Sequence, residues 1–85
     1  MRKCVAVFRS RSETMSFYSY LKNYNVSCRT IETPKEAKIG CGISVEFPPS
    51  EISRARAIVR YKQFKSFYCF LMVEKNGFKI TTTKI

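Results

Sequence analysis

The sequence predicts an α+β fold in which the elements follow the order β-α-β-β-α-β, with one more strand at the end. Two segments place apolar residues at helical spacings of three and four, and the segments between them alternate apolar with polar residues or are rich in β-branched and aromatic side chains. The pair Asn76-Gly77 is typical of a β-hairpin. The chain has 85 residues, 45% of them hydrophobic, so residues 1–85 are expected to form a single domain around one core.

The first half of the chain predicts a strand, a helix and a second strand. Residues 3–8 alternate as a strand does, and Ser10 with Glu13 forms a capping pair that begins a helix ending near residues 23–25. A short strand is predicted for residues 26–31, and Pro34 stops it. The apolar face of the helix is predicted to consist of Thr14, Phe17, Leu21 and Tyr24.

The second half of the chain predicts a strand, a helix and a hairpin. Residues 43–47 alternate as a half-buried strand, and Pro48-Pro49-Ser50 ends it and begins a helix. Residues 66–74 form the next strand, and a type I′ turn at Asn76-Gly77 leads into the last one. Alternation along 66–74 predicts apolar residues on both sides of the strand, so one face is expected to pack under the helices and the other under the hairpin or a second subunit. One side is predicted to carry Phe67, Cys69, Leu71 and Val73, and the other Tyr68, Phe70 and Met72. The inner face of the second helix is predicted to comprise Ile52, Ala55, Ile58 and Val59.

This order of elements predicts a ferredoxin-like antiparallel sheet with two helices on one face and an added C-terminal hairpin strand. Right-handed crossovers then place the third strand between the first two and bring three connections to one end of the sheet. These are the turn after the first strand with Arg9 and Arg11, the loop at Cys41, and the turn after the second helix with Lys62 and Lys65. We therefore expect the cysteine, a helix N-terminus and basic residues to lie close together.

Composition excludes several classes of function. The chain has no histidine, so neither a Cys-His pair nor a histidine general base can form, and its four cysteines contain no C-x2-C pair for a metal. We expect no metal, no cofactor and reduced cysteines in a cytoplasmic protein. The longest apolar run, residues 67–73, is too short for a membrane span, which needs about 20 residues. A net charge of +10 would attract nucleic acids, acidic proteins or small anions.

The candidate for chemistry is Cys41, which stands between Gly40 and Gly42 and is expected to be exposed. A thiol reacts as thiolate, and nearby cations or a helix N-terminus lower its pKa. The neighbours expected to support the thiolate are Lys35 and Lys38, together with Pro34, Gly40 and Gly42 of the same loop. Glycines beside the sulfur also allow another molecule to approach it closely. The alternative is that Cys41 is a small residue in a tight turn, with glycines that serve turn geometry alone.

The same loop resembles a known family. Thr33-Pro34-Lys35-Glu36, followed by Gly40-Cys41-Gly42 and by Phe47-Pro48-Pro49, is similar to the signature of small bacterial selenium/sulfur carrier-like proteins. The chain has Lys35 where that family usually has arginine, and Lys38-Ile39 where small hydroxyl residues are common. The resemblance implies that Cys41 holds a persulfide or a selenium equivalent and exchanges it with protein donors and acceptors, as a carrier or accessory protein rather than an enzyme.

Two alternatives remain open from the residues themselves. Arg54, Arg56 and Arg60 of the second helix, with Lys62 and Lys65, could form a strip that binds nucleic acid, although the third strand lacks the aromatic pattern of an RNA-recognition module. An anion could bind at the start of the first helix, at Arg9, Ser10, Arg11 and Ser12. The expected assembly is a monomer or a weak homodimer, with no membrane partner.

Overall fold

The computed structural model describes residues 1–37 and 41–85. Two helices and a five-stranded antiparallel sheet confirm the predicted α+β class. The elements are β1 Arg2–Phe8, α1 Arg11–Asn23, β2 Arg29–Glu32, β3 Ile43–Phe47, α2 Ile52–Lys62, β4 Phe67–Asn76 and β5 Lys79–Lys84. Short 3-10 turns at Lys35–Ala37 and Pro49–Glu51 precede β3 and α2 respectively.

The sheet has the strand order β2-β3-β1-β4-β5, and every neighbouring pair is antiparallel. β3 lies between β2 and β1, as the sequence predicts. β1 is the central strand, and its residues from Cys4 to Phe8 are all fully buried on one face or the other. The hairpin strand β5 extends the sheet beside β4 and does not fold over the sheet, so one of the two predicted coverings of the β4 face is wrong.

Both helices pack on one face of the sheet, over a core rich in phenylalanine. The ring centroid of Phe8 lies 5.2 Å from that of Phe17 in α1, and 5.4 Å from the ring centroids of both Phe64 and Phe67. Phe17 also contacts Phe47 of β3 edge to face. Tilted and edge-on pairs of this kind add to the free energy gained from burying the rings. The Phe8–Phe17 contact fixes α1 on β1, so it also fixes the start of α1 relative to the end of β1.

An irregularity at the end of β1 corrects the predicted faces of β4. Val7 pairs with Cys69 but Phe8 pairs with Phe67, so Tyr68 is an extra residue on β4 at this point. Side chains alternate along a strand, and one extra residue reverses the alternation beyond it. Phe67 therefore joins the core under the helices, and Tyr68 packs on the opposite face with Cys69. The prediction that Phe67 shares a face with Cys69, and Tyr68 with Phe70, is therefore wrong.

The second strand begins three residues later than predicted. Asn25 has a left-handed φ of 61°, and the backbone N–H of Val26 donates to the carbonyl of Leu21 at 3.0 Å. This bond ends the helix and directs Val26 into the core, where it is 4% exposed. Residues 26–28 therefore connect α1 to β2 and do not extend the sheet.

The hairpin turn is also displaced by one residue. Asn76 pairs with Lys79, so the two loop residues are Gly77 and Phe78. Of these two, Gly77 alone has a positive φ, of 64°. A type I′ turn needs positive φ at both positions, whereas a type II′ turn needs it only at the first, where glycine is favoured. The pattern is that of a type II′ turn.

The face of the sheet opposite the helices carries a smaller apolar cluster. Val5, Val7, Cys69 and Leu71 are buried there, and Ala37 from the 3-10 turn after β2 packs onto them. The segment that leads from β2 toward Cys41 is thus anchored to the sheet by an apolar side chain. Among the described residues, no helix is long and apolar enough to cross a membrane.

Candidate functional site

Cys41 lies beside the first turn of α1. Its Sγ atom is 3.6 Å from the hydroxyl of Thr14 and 3.5 Å from the carbonyl oxygen of Ile43. Thr14 is fully buried, whereas Cys41 is partly exposed. The sulfur therefore contacts polar groups of α1 and of the first residue of β3, and Cys41 remains partly exposed to solvent. Cys41 is thus less exposed than its sequence predicts.

The Thr14 hydroxyl has one proton and two acceptors within reach. It donates to the carbonyl of Ser10 at 2.9 Å, and the Cys41 sulfur lies at 3.6 Å from the same oxygen. A thiol can donate its proton to this oxygen, but a thiolate can only accept. When Cys41 ionises, the Thr14 proton can therefore turn from Ser10 to the sulfur. Ser10 keeps a partner, because the backbone N–H of Thr14 donates to the same carbonyl at 3.0 Å.

Several effects act on the pKa of the Cys41 thiol. Partial burial raises it, but hydrogen bonds with the backbone at Ile43, from the Thr14 hydroxyl and with the backbone of Cys41 lower it, as does the charge of Arg11. The lowering effects prevail, and the pKa lies below its ordinary value. The contact between the sulfur and the Ile43 carbonyl oxygen instead favours the protonated thiol, since a carbonyl oxygen can only accept a hydrogen bond. Backbone N–H groups favour the thiolate, and so does the helix N-terminus.

The other three cysteines have the opposite chemistry. Cys4 and Cys69 are buried in the two faces of the sheet, and Cys28 is partly buried against the core. Burial raises the pKa of all three thiols. All four cysteines are unpaired. Cys41 alone is both accessible and in surroundings that favour the thiolate.

Gly42 holds the loop in its conformation. Its φ of 93° lies in a region that side chains with a Cβ rarely adopt, and its carbonyl accepts from the backbone N–H of Thr33 at 3.1 Å. The Thr33 and Ser44 hydroxyls contact each other at 2.8 Å and continue this link between the two strands. A Cβ at Gly42 would meet nothing within 4 Å, so the space beside it is open. The glycine thus serves turn geometry, and no side chain at position 42 fills the space next to Cys41.

A second set of hydrogen bonds joins the start of α1 to the start of β4. The Glu13 carboxylate accepts from the backbone N–H of Ser66 at 2.7 Å, from the Ser66 hydroxyl and from the backbone N–H of Lys65 at 3.3 Å. Hydrogen bonds with Ser66 are the main cause that lowers the pKa of Glu13. Ser10 caps the helix by accepting from the Glu13 N–H, as predicted, but the Glu13 side chain binds the α2–β4 turn instead of closing a capping box.

The structure brings together part of the predicted basic cluster. Arg11 acts on the sulfur through its charge, but the Arg9 guanidinium lies over the ring of Tyr68, 5.4 Å from its centroid, and Lys62 lies over Tyr20. Lys35 is exposed in the 3-10 turn, where the Pro34 carbonyl accepts from Ala37. The predicted support from Lys38 and Gly40 falls outside the described residues.

The predicted anion site at the start of α1 is partly occupied by the protein itself. The hydroxyl of Ser10 accepts from the Glu13 N–H and contacts the Ser12 hydroxyl at 2.9 Å. Arg11 and Ser12 are exposed beside it. The negative charge of Glu13 at the same helix end competes with a bound anion.

The arginines of α2 do not form a single strip. Arg54 pairs with Glu51 at 3.1 Å and lies over the ring of Tyr24, whereas Arg56 lies over Phe70. Arg54 lines a groove between α1 and α2. Arg56 and Arg60 line another groove, on the side of α2 that faces β4. The helix therefore divides its positive charge between two grooves.

Sequence reasoning missed Thr14 and Ser66 as parts of this region. Thr14 fits the helical spacing of the apolar face, so periodicity assigned it to the core, where it is indeed buried. A hydroxyl on an otherwise apolar helix face is the signal that could have identified it, since a buried hydroxyl needs a partner. Within residues 1–37 and 41–85, no three cysteine or carboxylate side chains lie close enough to hold a metal ion.

Residues 3–69 match the family described as Putative Se/S carrier protein-like. The matched range runs from the second residue of β1 into β4 and includes Cys41, Thr14 and Ser66, while β5 lies outside it. No curated protein and no solved structure matches the chain.

Proposed function

The chain belongs to the Se/S carrier protein-like family, and from this premise we propose that it carries one sulfur or selenium atom on Cys41 and passes it to a protein partner. The single observation that supports Cys41 as the carrying residue is the contrast between its surroundings and those of the other cysteines. Cys41 is partly exposed, and hydrogen bonds with the backbone at Ile43 and with Thr14, together with the charge of Arg11, lower its pKa, while burial raises the pKa of Cys4, Cys28 and Cys69.

The transfer follows ordinary thiol exchange. The Cys41 thiolate attacks the outer sulfur of a persulfide on a donor protein, a new S–S bond forms at Cys41, and the donor leaves as a thiolate. The reverse step, with an acceptor thiolate attacking the outer sulfur, returns Cys41 to the thiolate. No external oxidant or reductant is needed, because the electron pair of the broken S–S bond leaves with the departing thiolate.

The surroundings of Cys41 suit both states of such a cycle. The Thr14 hydroxyl and the helix N-terminus stabilise negative charge on the sulfur before loading and on its release. The open space beside Gly42 leaves room for the approach of a partner's sulfur. Because the chain contains no histidine, any imidazole acid or base that the transfer uses would come from the partner proteins.

The neighbours of the sulfur have separate proposed roles. Gly42 maintains the loop geometry, and Arg11 attracts the anionic sulfur of a donor. Of the predicted anion site at Arg9, Ser10, Arg11 and Ser12, the exposed residues Arg11 and Ser12 are the ones we retain, and the charge of Arg11 acts on the thiol. Pro34 and Lys35 lie at the entrance of the loop and would contact a partner, not the sulfur itself.

We also propose that the chain forms one ferredoxin-like domain and works in the cytoplasm. The order β2-β3-β1-β4 with antiparallel pairing supports a ferredoxin-like arrangement to which β5 is added. One continuous sheet with cores on both faces supports a single domain over residues 1–85. Four unpaired cysteines suit a protein that works in the reducing cytoplasm.

Competitive alkylation tests the proposal. With limiting iodoacetamide at neutral pH, followed by peptide mass spectrometry, Cys41 is expected to be modified well before the other three cysteines. Cys28 is the matched comparison within the same chain, because it is also partly exposed but its pKa is raised. Equal rates at Cys28 and Cys41 would refute the proposal, and the variant Cys41→Ser should lose the fast phase while Cys28→Ser keeps it.

A further inference from the structure

We propose that the groove between α1 and α2 binds single-stranded nucleic acid, with bases stacking on its tyrosines and phosphates bound by its cations. The groove has a volume of about 490 Å³ and lies on the helical face, so it is separate from the thiol site. Its walls carry three tyrosines and two cations, namely Tyr20, Tyr24, Tyr61, Arg54 and Lys62.

The exposure of the rings is the first observation behind this inference. Tyr61 in α2 is 80% exposed and Tyr24, at the C-terminal cap of α1, is 55% exposed, although both lie beside a well-packed core. A core-edge role would bury most of each ring, as it does for Tyr20, which packs against Phe64. Tyr61 and Tyr24 instead present ring surface to solvent at the same groove, which provides stacking surface for bases of any sequence.

The position of the cations is the second observation. The Lys62 ammonium lies 4.5 Å from the ring centroid of Tyr20 and 5.2 Å from that of Tyr61, and the Arg54 guanidinium lies 5.4 Å from that of Tyr24. Aromatic rings and cations are therefore interleaved within one groove. A nucleotide presents a planar base and a phosphate close together and can use both, whereas the carboxylates of an acidic peptide pair with the cations and do not stack on the rings.

The surrounding charge favours a polyanion. α2 contains four cations and no acidic residue over Ile52–Lys62, and the whole chain has a net charge of +10. Glu51 accepts from Arg54 at 3.1 Å and offsets part of the charge at one end of the groove. Lys62 at the other end lies among tyrosines and extends to solvent. The positive helix supplies the long-range attraction, and the rings supply contacts that free phosphate cannot make.

Fluorescence anisotropy with a labelled oligo-uridine or oligo-thymidine strand of about a dozen nucleotides at low salt tests the inference. Tyr61→Ala is expected to weaken binding by about fivefold or more, which corresponds to the loss of one stacked base. Lys62→Gln is expected to reduce the slope of log K against log salt by about 0.7, the contribution of one phosphate on a single strand.

Matched controls come from the hairpin. Phe78 is an aromatic residue that is fully exposed, and its neighbour Lys79 is an exposed lysine, so Phe78→Ala and Lys79→Gln make the same chemical changes outside the groove. Both controls are expected to bind within about twofold of the wild type, and circular dichroism checks that all variants fold. Cys41→Ser should also bind normally, which separates this site from the carrier activity.

Three results would overturn the inference. The first is an absence of binding to either strand at low salt. The second is an equal loss of affinity in the groove variants and the hairpin variants, which would indicate diffuse attraction to the whole charged surface. The third is that a poly-glutamate peptide displaces the labelled strand as effectively as unlabelled oligonucleotide does at the same concentration of charge. That result would assign the groove to acidic proteins.

Discussion

The substitution Thr14→Val tests whether the buried hydroxyl supports the Cys41 thiolate. Valine has nearly the shape of threonine, so the change removes the hydroxyl contact at 3.6 Å and leaves the packing of α1 in place. Hydrogen bonds to charged groups contribute roughly 1.5–3 kcal/mol, and a long contact to a partly exposed sulfur is expected to contribute about half the lower figure. That value corresponds to about a threefold decrease in the thiolate fraction at neutral pH.

The alkylation rate of Cys41 should change less than the thiolate fraction does. A sulfur with a higher pKa is a stronger nucleophile, which offsets part of the loss and leaves about a twofold decrease in rate at neutral pH. The sharper assay is the rate across the pH range, where the midpoint of the Thr14→Val profile should move to higher pH. Thr14→Ser keeps the hydroxyl and should keep the wild-type midpoint. An unchanged or lower midpoint for Thr14→Val would refute the role of this hydroxyl.

Four further predictions concern stability. Glu13→Gln should destabilise the fold by about 1–2 kcal/mol in urea titrations, because the neutral amide loses charge-assisted bonds to Ser66; a change below about 0.3 kcal/mol would contradict this. The wild type should lose part of this stabilisation on acidification below about pH 4.3, the ordinary pKa of glutamate in an unfolded chain, since a carboxylate with a lowered folded-state pKa stabilises the fold above its unfolded-state pKa and ceases to do so as the pH falls through the folded-state pKa; Glu13→Gln should lack this part of the acid transition. Phe17→Ala should cost about 3–5 kcal/mol in the same assay, as expected for a fully buried ring, and a smaller cost would mean that α1 repacks. Glu46→Gln should cost less than about 1 kcal/mol, because its partner Arg29 is 73% exposed, and a larger loss would contradict the solvent screening of this pair.

The sequence was sufficient to predict the class of fold and part of the surroundings of Cys41. Alternation in residues 43–47 and helical spacing in α1 and α2 are local signals, and the elements formed where these signals are strong. The neighbourhood of Cys41 could be predicted because the order of elements restricts which loops share one end of the sheet. In the structure the cysteine lies beside the first turn of α1, and the α2–β4 turn contacts the same helix end.

The contacts within the site could not be predicted from local signals. Periodicity treats Thr14 as one more small residue on an apolar face and contains no information on what its hydroxyl meets. The bond between Glu13 and Ser66 joins positions 53 residues apart, and only the folded chain brings them together. The extra residue at Tyr68 likewise depends on the pairing of β4 with β1, so alternation within β4 alone assigned the wrong face. Side-chain direction at Arg9 and Lys62 follows from neighbouring aromatic rings on other elements.

The central claim is that Cys41 carries the sulfur or selenium atom, and intact-protein mass spectrometry after loading tests it most directly. The reduced protein is incubated with a small-molecule persulfide, free thiols are blocked, and the position of the added atom is mapped by fragmentation. The account predicts one added sulfur, located on Cys41, and none in Cys41→Ser. Added sulfur on Cys4, Cys28 or Cys69 at the same level as on Cys41, or equal loading of Cys41→Ser and the wild type, would contradict it.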